Sequence, residues 1–157
     1  MPNYAPSTRQ AVVDIGHGLR CDASPTSILT GQNHLFSVKV GRVWMTDLMG
    51  IVTTVLGGGA LKVHFDFDAD VGGDAAMCID HAGDMDASAA GEMFVLPAAA
   101  ASALAEPAGA FLKLFPSVGW VLSPGYIDYH ASAARTGVIK WSVWYYPLDD
   151  GAYIEAT

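Results

Sequence analysis

Positive charge is scarce in this sequence. Eight lysines and arginines stand against 16 acidic residues, and no two of the eight are adjacent. Binding to a phosphate backbone rests on clustered basic side chains, so at a net charge of −8 the chain is not expected to bind nucleic acid. Cysteine is nearly absent. Cys21 and Cys78 are too few for a disulfide framework and are expected to be free, buried thiols of a chain that folds in a reducing cytoplasm. No apolar run reaches the roughly 18 residues of a membrane helix. The opening Met-Pro-Asn-Tyr-Ala-Pro lacks the basic and apolar regions of a secretory leader, so neither export nor a membrane partner is expected. Charge of either sign is low, at 15% of residues against a usual share of about 25%. A chain so poor in charge, and 52% apolar, has little polar surface to offer water. Much of its outside is expected to meet other protein.

What is present is β-pattern. The length of 157 residues suits one domain. Residues 1–33 carry no sustained periodicity and are punctuated by Pro2, Pro6, Pro25, Gly16, Gly18 and Gly31. Their apolar residues still need a surface, so an extended N-terminal arm is expected, ordered against a neighbour or its own domain. From His34 the pattern turns to strands: Leu35–Val40, then a β-branched run from Val43 to Leu56 in which Asp47 and Gly50 suggest a bulge or bend. Gly57-Gly58-Gly59 reads as a hairpin turn leading to the clearest alternation in the chain. There Leu61, Val63, Phe65 and Phe67 share one face, and Lys62, His64, Asp66 and Asp68 the other.

Further short strands are expected at 75–79, 93–96, 111–115, 119–122, 126–131 and 138–146. The passage from Pro97 to Glu106 is either a short helix or an Ala-rich loop. Many short strands between Gly, Pro and Asp turns, with at most one short helix, predict an all-β fold. The expectation is a single-domain sandwich, jelly-roll-like, over residues 34–157.

Candidate sites are few. The acidic passage Asp66, Asp68, Asp70 and Asp74, followed by Asp80, Asp84 and Asp86, has the carboxylate density of a calcium loop. The EF-hand pattern fails, however, because Val71 and Met77 stand where Gly and Glu belong. His17, His34, His64, His81 and His130 include no pair at i, i+4 and no Cys-x-x-Cys beside them. No nucleophile elbow and no phosphate loop is found. No catalytic residue, metal ligand or cofactor is therefore expected, and the protein is not read as an enzyme. The aromatics carry a different expectation. Along 138–146, Trp141 and Tyr145 fall on one side and Trp144 and Tyr146 on the other. One set suits the core; Trp144 and Tyr146 suit a subunit contact, or a stacking platform for a sugar. Together with Tyr4, Val12, Val13 and Ile15 of the arm, they form the candidate interface.

Two segments resemble a family of small virion structural proteins of tailed phages and prophages. One is His34-Leu-Phe-Ser-Val-Lys-Val-Gly-Arg-Val-Trp-Met-Thr-Asp-Leu-Met-Gly-Ile-Val-Thr-Thr54. The other is Gly125-Tyr-Ile-Asp followed by Thr136-Gly-Val-Ile-Lys-Trp-Ser-Val-Trp-Tyr-Tyr-Pro-Leu-Asp-Asp-Gly-Ala-Tyr-Ile154. The second is the more specific. The resemblance implies a component of the particle, without saying which one. Low charge, an apolar arm and aromatic strand faces then set the expectation: a minor capsid or decoration protein on the major capsid protein shell, a homo-oligomer with a trimer as the expected form, in virions assembled in the bacterial cytoplasm. A tail, collar or fibre module, or a carbohydrate-binding attachment domain, is the alternative. No catalytic residue comes with it.

Overall fold

The computed structural model describes residues 18–97, 100–104 and 119–157. Among the described residues there is no helix. The strands, in chain order, are β1 (Leu19–Asp22), β2 (Thr26–Ile28), β3 (Gly31–Lys39), β4 (Val43–Thr54), β5 (Val63–Ala69), β6 (Ala75–Ala76), β7 (Met93–Val95), β8 (Trp120–Leu122), β9 (Gly125–Ala131), β10 (Arg135–Pro147) and β11 (Tyr153–Ala156). They form two antiparallel sheets packed as a β-sandwich, so the expected fold class holds. In the six-stranded sheet β10 and β4 pair along their length. β1 and β2 lie on the far edge of β10, and β7 and β8 on the far edge of β4. The five-stranded sheet runs β11-β3-β9-β5-β6.

The alternation in the sequence explains the core. Ile139, Trp141, Val143 and Tyr145 point inward from β10, as Met45, Leu48 and Val52 do from β4. Phe36, Phe65, Phe67, Ile127 and Tyr129 meet them from the opposite sheet. Phe65 and Trp141 touch edge to face, with ring centres 4.8 Å apart. Such a contact adds about 1 kcal/mol beyond area burial. The bulge expected near Asp47 is present: Trp144 pairs with Asp47 and Tyr145 with Met45, which leaves Thr46 as the extra residue. Gly50, by contrast, sits in regular register opposite Trp141.

One expected connection is corrected. The runs 43–56 and 61–68 do not form a hairpin: β4 belongs to one sheet and β5 to the other. Leu56 and Leu61, one on each side of the glycines, are both fully buried, and the Gly57 N–H donates to Thr136 O. The segment is therefore pinned across the end of the sandwich rather than folded back on itself.

Of the segment read as an arm, residues 1–17 lie outside the described residues, and 18–33 supply β1, β2 and the opening of β3. From the Ala-rich passage, residues 100–104 form turns and a single parallel bridge, Ala103 to Ile79, with Leu104 buried. The strand expected at 111–115 lies outside the described residues.

Candidate functional site

The outer face of each sheet gathers side chains that the sequence singled out, and the two faces differ in chemistry. On the six-stranded sheet, residues paired across strands share a face, so Tyr146, Trp44 and Val121 form one outward row, and Arg20, Trp144 and Asp47 the next. Trp44 and Tyr146 stack with ring centres 5.5 Å apart. The Trp44 indole lies directly over Gly119, where any Cβ would collide with its Nε1. The Arg20 guanidinium sits 5.2 Å from the Trp144 ring centre, a cation–π contact. Trp44, Trp144 and Tyr146 are half-buried, while Val121 and Ile51 on the same side are exposed. The edge is tied down by Asp22. Its carboxylate accepts from Ser142 Oγ at 2.6 Å and Arg20 Nε at 2.7 Å, and lies 3.1 Å from Lys140 Nζ. Burial pushes its pKa up, but these hydrogen bonds outweigh that and hold it down at about 2.

On the five-stranded sheet the outer face is built from histidine and aspartate. The antiparallel register sets His64 opposite His130 and Asp66 opposite Asp128. The two imidazoles stack almost parallel, 4.8 Å between centres. Asp66 Oδ2 lies 3.2 Å from His130 Nε2 and 3.6 Å from His64 Nε2. His64 Nδ1 is 2.7 Å from Asp80 Oδ1. Asp128, with no exposed side-chain surface, is held by His34 Nδ1 at 2.6 Å and accepts from Gln32 Nε2. Asp68 lies one row further along. Desolvation, then a hydrogen bond shared with Asp74, pushes its pKa up, and the charges of Asp74 and Asp128 add to the effect. Among the described residues, His64, Asp66 and His130 are the group of side chains able to hold a metal ion together.

The structure thus sorts the residues named from sequence. Trp141 and Tyr145 are core, and Trp144 and Tyr146 are outward, on a face shared with Trp44. Tyr4, Val12, Val13 and Ile15 lie outside the described residues. Of the acidic passage, Asp66, Asp68 and the exposed Asp74 and Asp80 gather at one face, whereas Asp70, Asp84 and Asp86 stand exposed outside the strands. His81 is buried edge-on against Phe94. Cys78 is a buried free thiol pushed up to about 11 by burial; Cys21 is free and half-buried, and burial raises it too. What sequence reasoning missed is the cluster of His64, Asp66 and His130. Only the β5–β9 register joins them, and the available signal was the shared wet face of His64 and Asp66. No helix among the described residues is long and apolar enough to cross a membrane. No family model, curated protein or solved structure matches the chain.

Proposed function

We propose that the chain is a structural protein of a phage particle: a minor capsid or decoration protein that binds the capsid shell as a homo-oligomer and stabilises it. The mechanism is adhesion. A partner that binds only the assembled lattice shifts the assembly equilibrium by mass action, and many copies multiply the effect. The observation that carries this reading is the outer face of β4 and β10, where Trp44, Trp144 and Tyr146 stand half-buried beside exposed Val121 and Ile51. Trp, Tyr and Arg are enriched at protein contacts, and Arg20 lies over Trp144 on this face. The low overall charge of 15% agrees.

The resemblance supplies the phage context, and its two segments make one physical unit. The first holds most of β3 and all of β4, the second the start of β9, nearly all of β10 and the start of β11, and these strands pair with each other in both sheets. Arg42 from the first clamps Asp149 from the second, with Nη2 to Oδ1 at 2.8 Å and Nε to Oδ2 at 3.0 Å.

A second copy of the chain is the occupant assigned to the aromatic face. Light scattering on the purified full chain checks this: a homo-oligomer is expected, and Trp144→Ser with Tyr146→Ser is expected to release folded monomer. Cryo-microscopy of intact particles tests location, with density for the chain expected on the capsid shell. Density on tail, collar or fibre would move the protein within the particle. A monomer that is absent from particles and binds an oligosaccharide through Trp44 and Tyr146 would overturn the reading.

A further inference from the structure

We propose that His64, Asp66 and His130 form a binding site for one divalent transition-metal ion of the zinc type on the outer face of the five-stranded sheet. The inference is independent of the adhesion reading and rests on the opposite face of the sandwich.

The backbone does most of the assembly. In an antiparallel pair, residues directly opposite each other, and those two positions along the same strand, share a face. The register of β5 on β9 therefore presents His64, His130 and Asp66 outward together. Their ligand atoms all lie within 4.8 Å of one another. Zinc holds nitrogen and oxygen ligands at about 2.0–2.1 Å, which makes the edge of its tetrahedron about 3.4 Å. Two edges of the cluster, 3.2 and 3.6 Å, match that length. Closing the third requires the two imidazoles, now parallel to within 5°, to tilt toward the ion. That is a rotation about χ2, which is a soft torsion in histidine.

A second group points the same way. Asp80 Oδ1 stands 2.7 Å from His64 Nδ1, and in the neutral tautomer with its proton on Nδ1 the ring donates there and turns its Nε2 lone pair toward Asp66. In that tautomer two electron-rich atoms face each other across 3.6 Å, an arrangement that a cation between them stabilises. Metal-bound histidines ordinarily donate their other ring N–H to a carboxylate in this way. Asp80 is thus a positioning residue, outside the ligand set. Buried Asp128, opposite Asp66, and the Asp68–Asp74 pair one row away add negative field at the site.

The donors choose the metal class. Calcium and magnesium take oxygen ligands, whereas two imidazoles and one carboxylate suit zinc, cobalt or nickel. His64, Asp66 and His130 are each a quarter to a third exposed, so the fourth position faces outward and takes a water molecule.

The test uses the untagged full chain, stripped with a chelator and titrated with zinc alone by calorimetry, then with cobalt followed by its visible absorption. Saturable binding of one equivalent is expected, with a cobalt spectrum of tetrahedral intensity and no competition from excess calcium. Asp80→Asn is expected to weaken zinc binding by about 10–100-fold, and His130→Gln by more. Asp86→Asn, on the exposed loop, is expected to leave it unchanged. Should the histidine variant misfold, the wild-type chain alone decides: zinc raises its melting temperature and shifts the His64 and His130 ring resonances. Absence of saturable zinc binding, or binding that persists unchanged in both Asp80→Asn and His130→Gln, would overturn the site.

Discussion

A Cβ placed on Gly50 would meet the Trp141 ring at 2.5 Å, so the indole rests directly on the β4 backbone. Gly50→Ala forces that ring off its contact with Phe65. Overpacking of this kind costs about 1–3 kcal/mol, and denaturant unfolding is expected to show a loss in that range. A second prediction concerns Asp149. The Arg42 side chain, then the Arg42 backbone N–H, hold its carboxyl down at about 2. A carboxyl depressed in the folded state contributes stability above its unfolded pKa, near 3.9, and loses it as pH falls through the folded value. Asp149→Asn is therefore expected to lower stability at neutral pH and to flatten the acid-induced loss between about pH 4 and 2, measured by thermal melts across that window. Both residues show what sequence can and cannot give. The inward set Ile139, Trp141, Val143 and Tyr145 was legible because alternation has a period of two. That Gly50 makes room for Trp141, rather than bending its strand, was hidden because the pair meets only through the β4–β10 register.

Between β3 and β4 the chain changes sheets in a very short turn. The Gly41 N–H donates to Lys39 O at 2.8 Å, and Val40 between them has φ +70°. This is a γ-turn of the positive-φ kind, which is rare and strained, and a β-branched residue there is an outlier. Val40 is 71% exposed, so its side chain contributes little packing to offset the strain. Val40→Asn, which tolerates positive φ, is expected to raise stability by about 1 kcal/mol, read as a higher melting midpoint; an unchanged or lower midpoint would show that the turn carries no strain. The same element explains why strands were legible and their partners were not. A Gly-rich link looks alike whether it closes a hairpin or carries the chain across the sandwich. At 57–59 the choice is made by Leu56 and Leu61, both buried, and by the Gly57 bond to Thr136. Those contacts depend on residues far along the chain.

At the scale of the molecule, one sandwich keeps two unlike surfaces apart. The aromatic face of β4 and β10 and the His/Asp face of β5 and β9 are separated by two sheets packed about 10 Å apart, with Phe65 and Trp141 between them. The aromatic face was partly legible, since Trp144 and Tyr146 alternate with core residues. The His/Asp face was not, because it exists only once β9 lies beside β5. Their separation has a measurable consequence. Substitutions more than about 7–10 Å apart with no shared partner add within about 0.5 kcal/mol. Among the described residues, His130 touches Asp66 and stacks on His64, whereas Tyr146 stacks on Trp44 on the opposite sheet. A double-mutant cycle by denaturant unfolding is expected to give a coupling energy below about 0.5 kcal/mol. Self-association is expected to respond only to the Tyr146 change, and zinc binding only to the His130 change. A coupling above about 1 kcal/mol would mean that the core transmits strain between the faces, and metal on one side would then tune adhesion on the other.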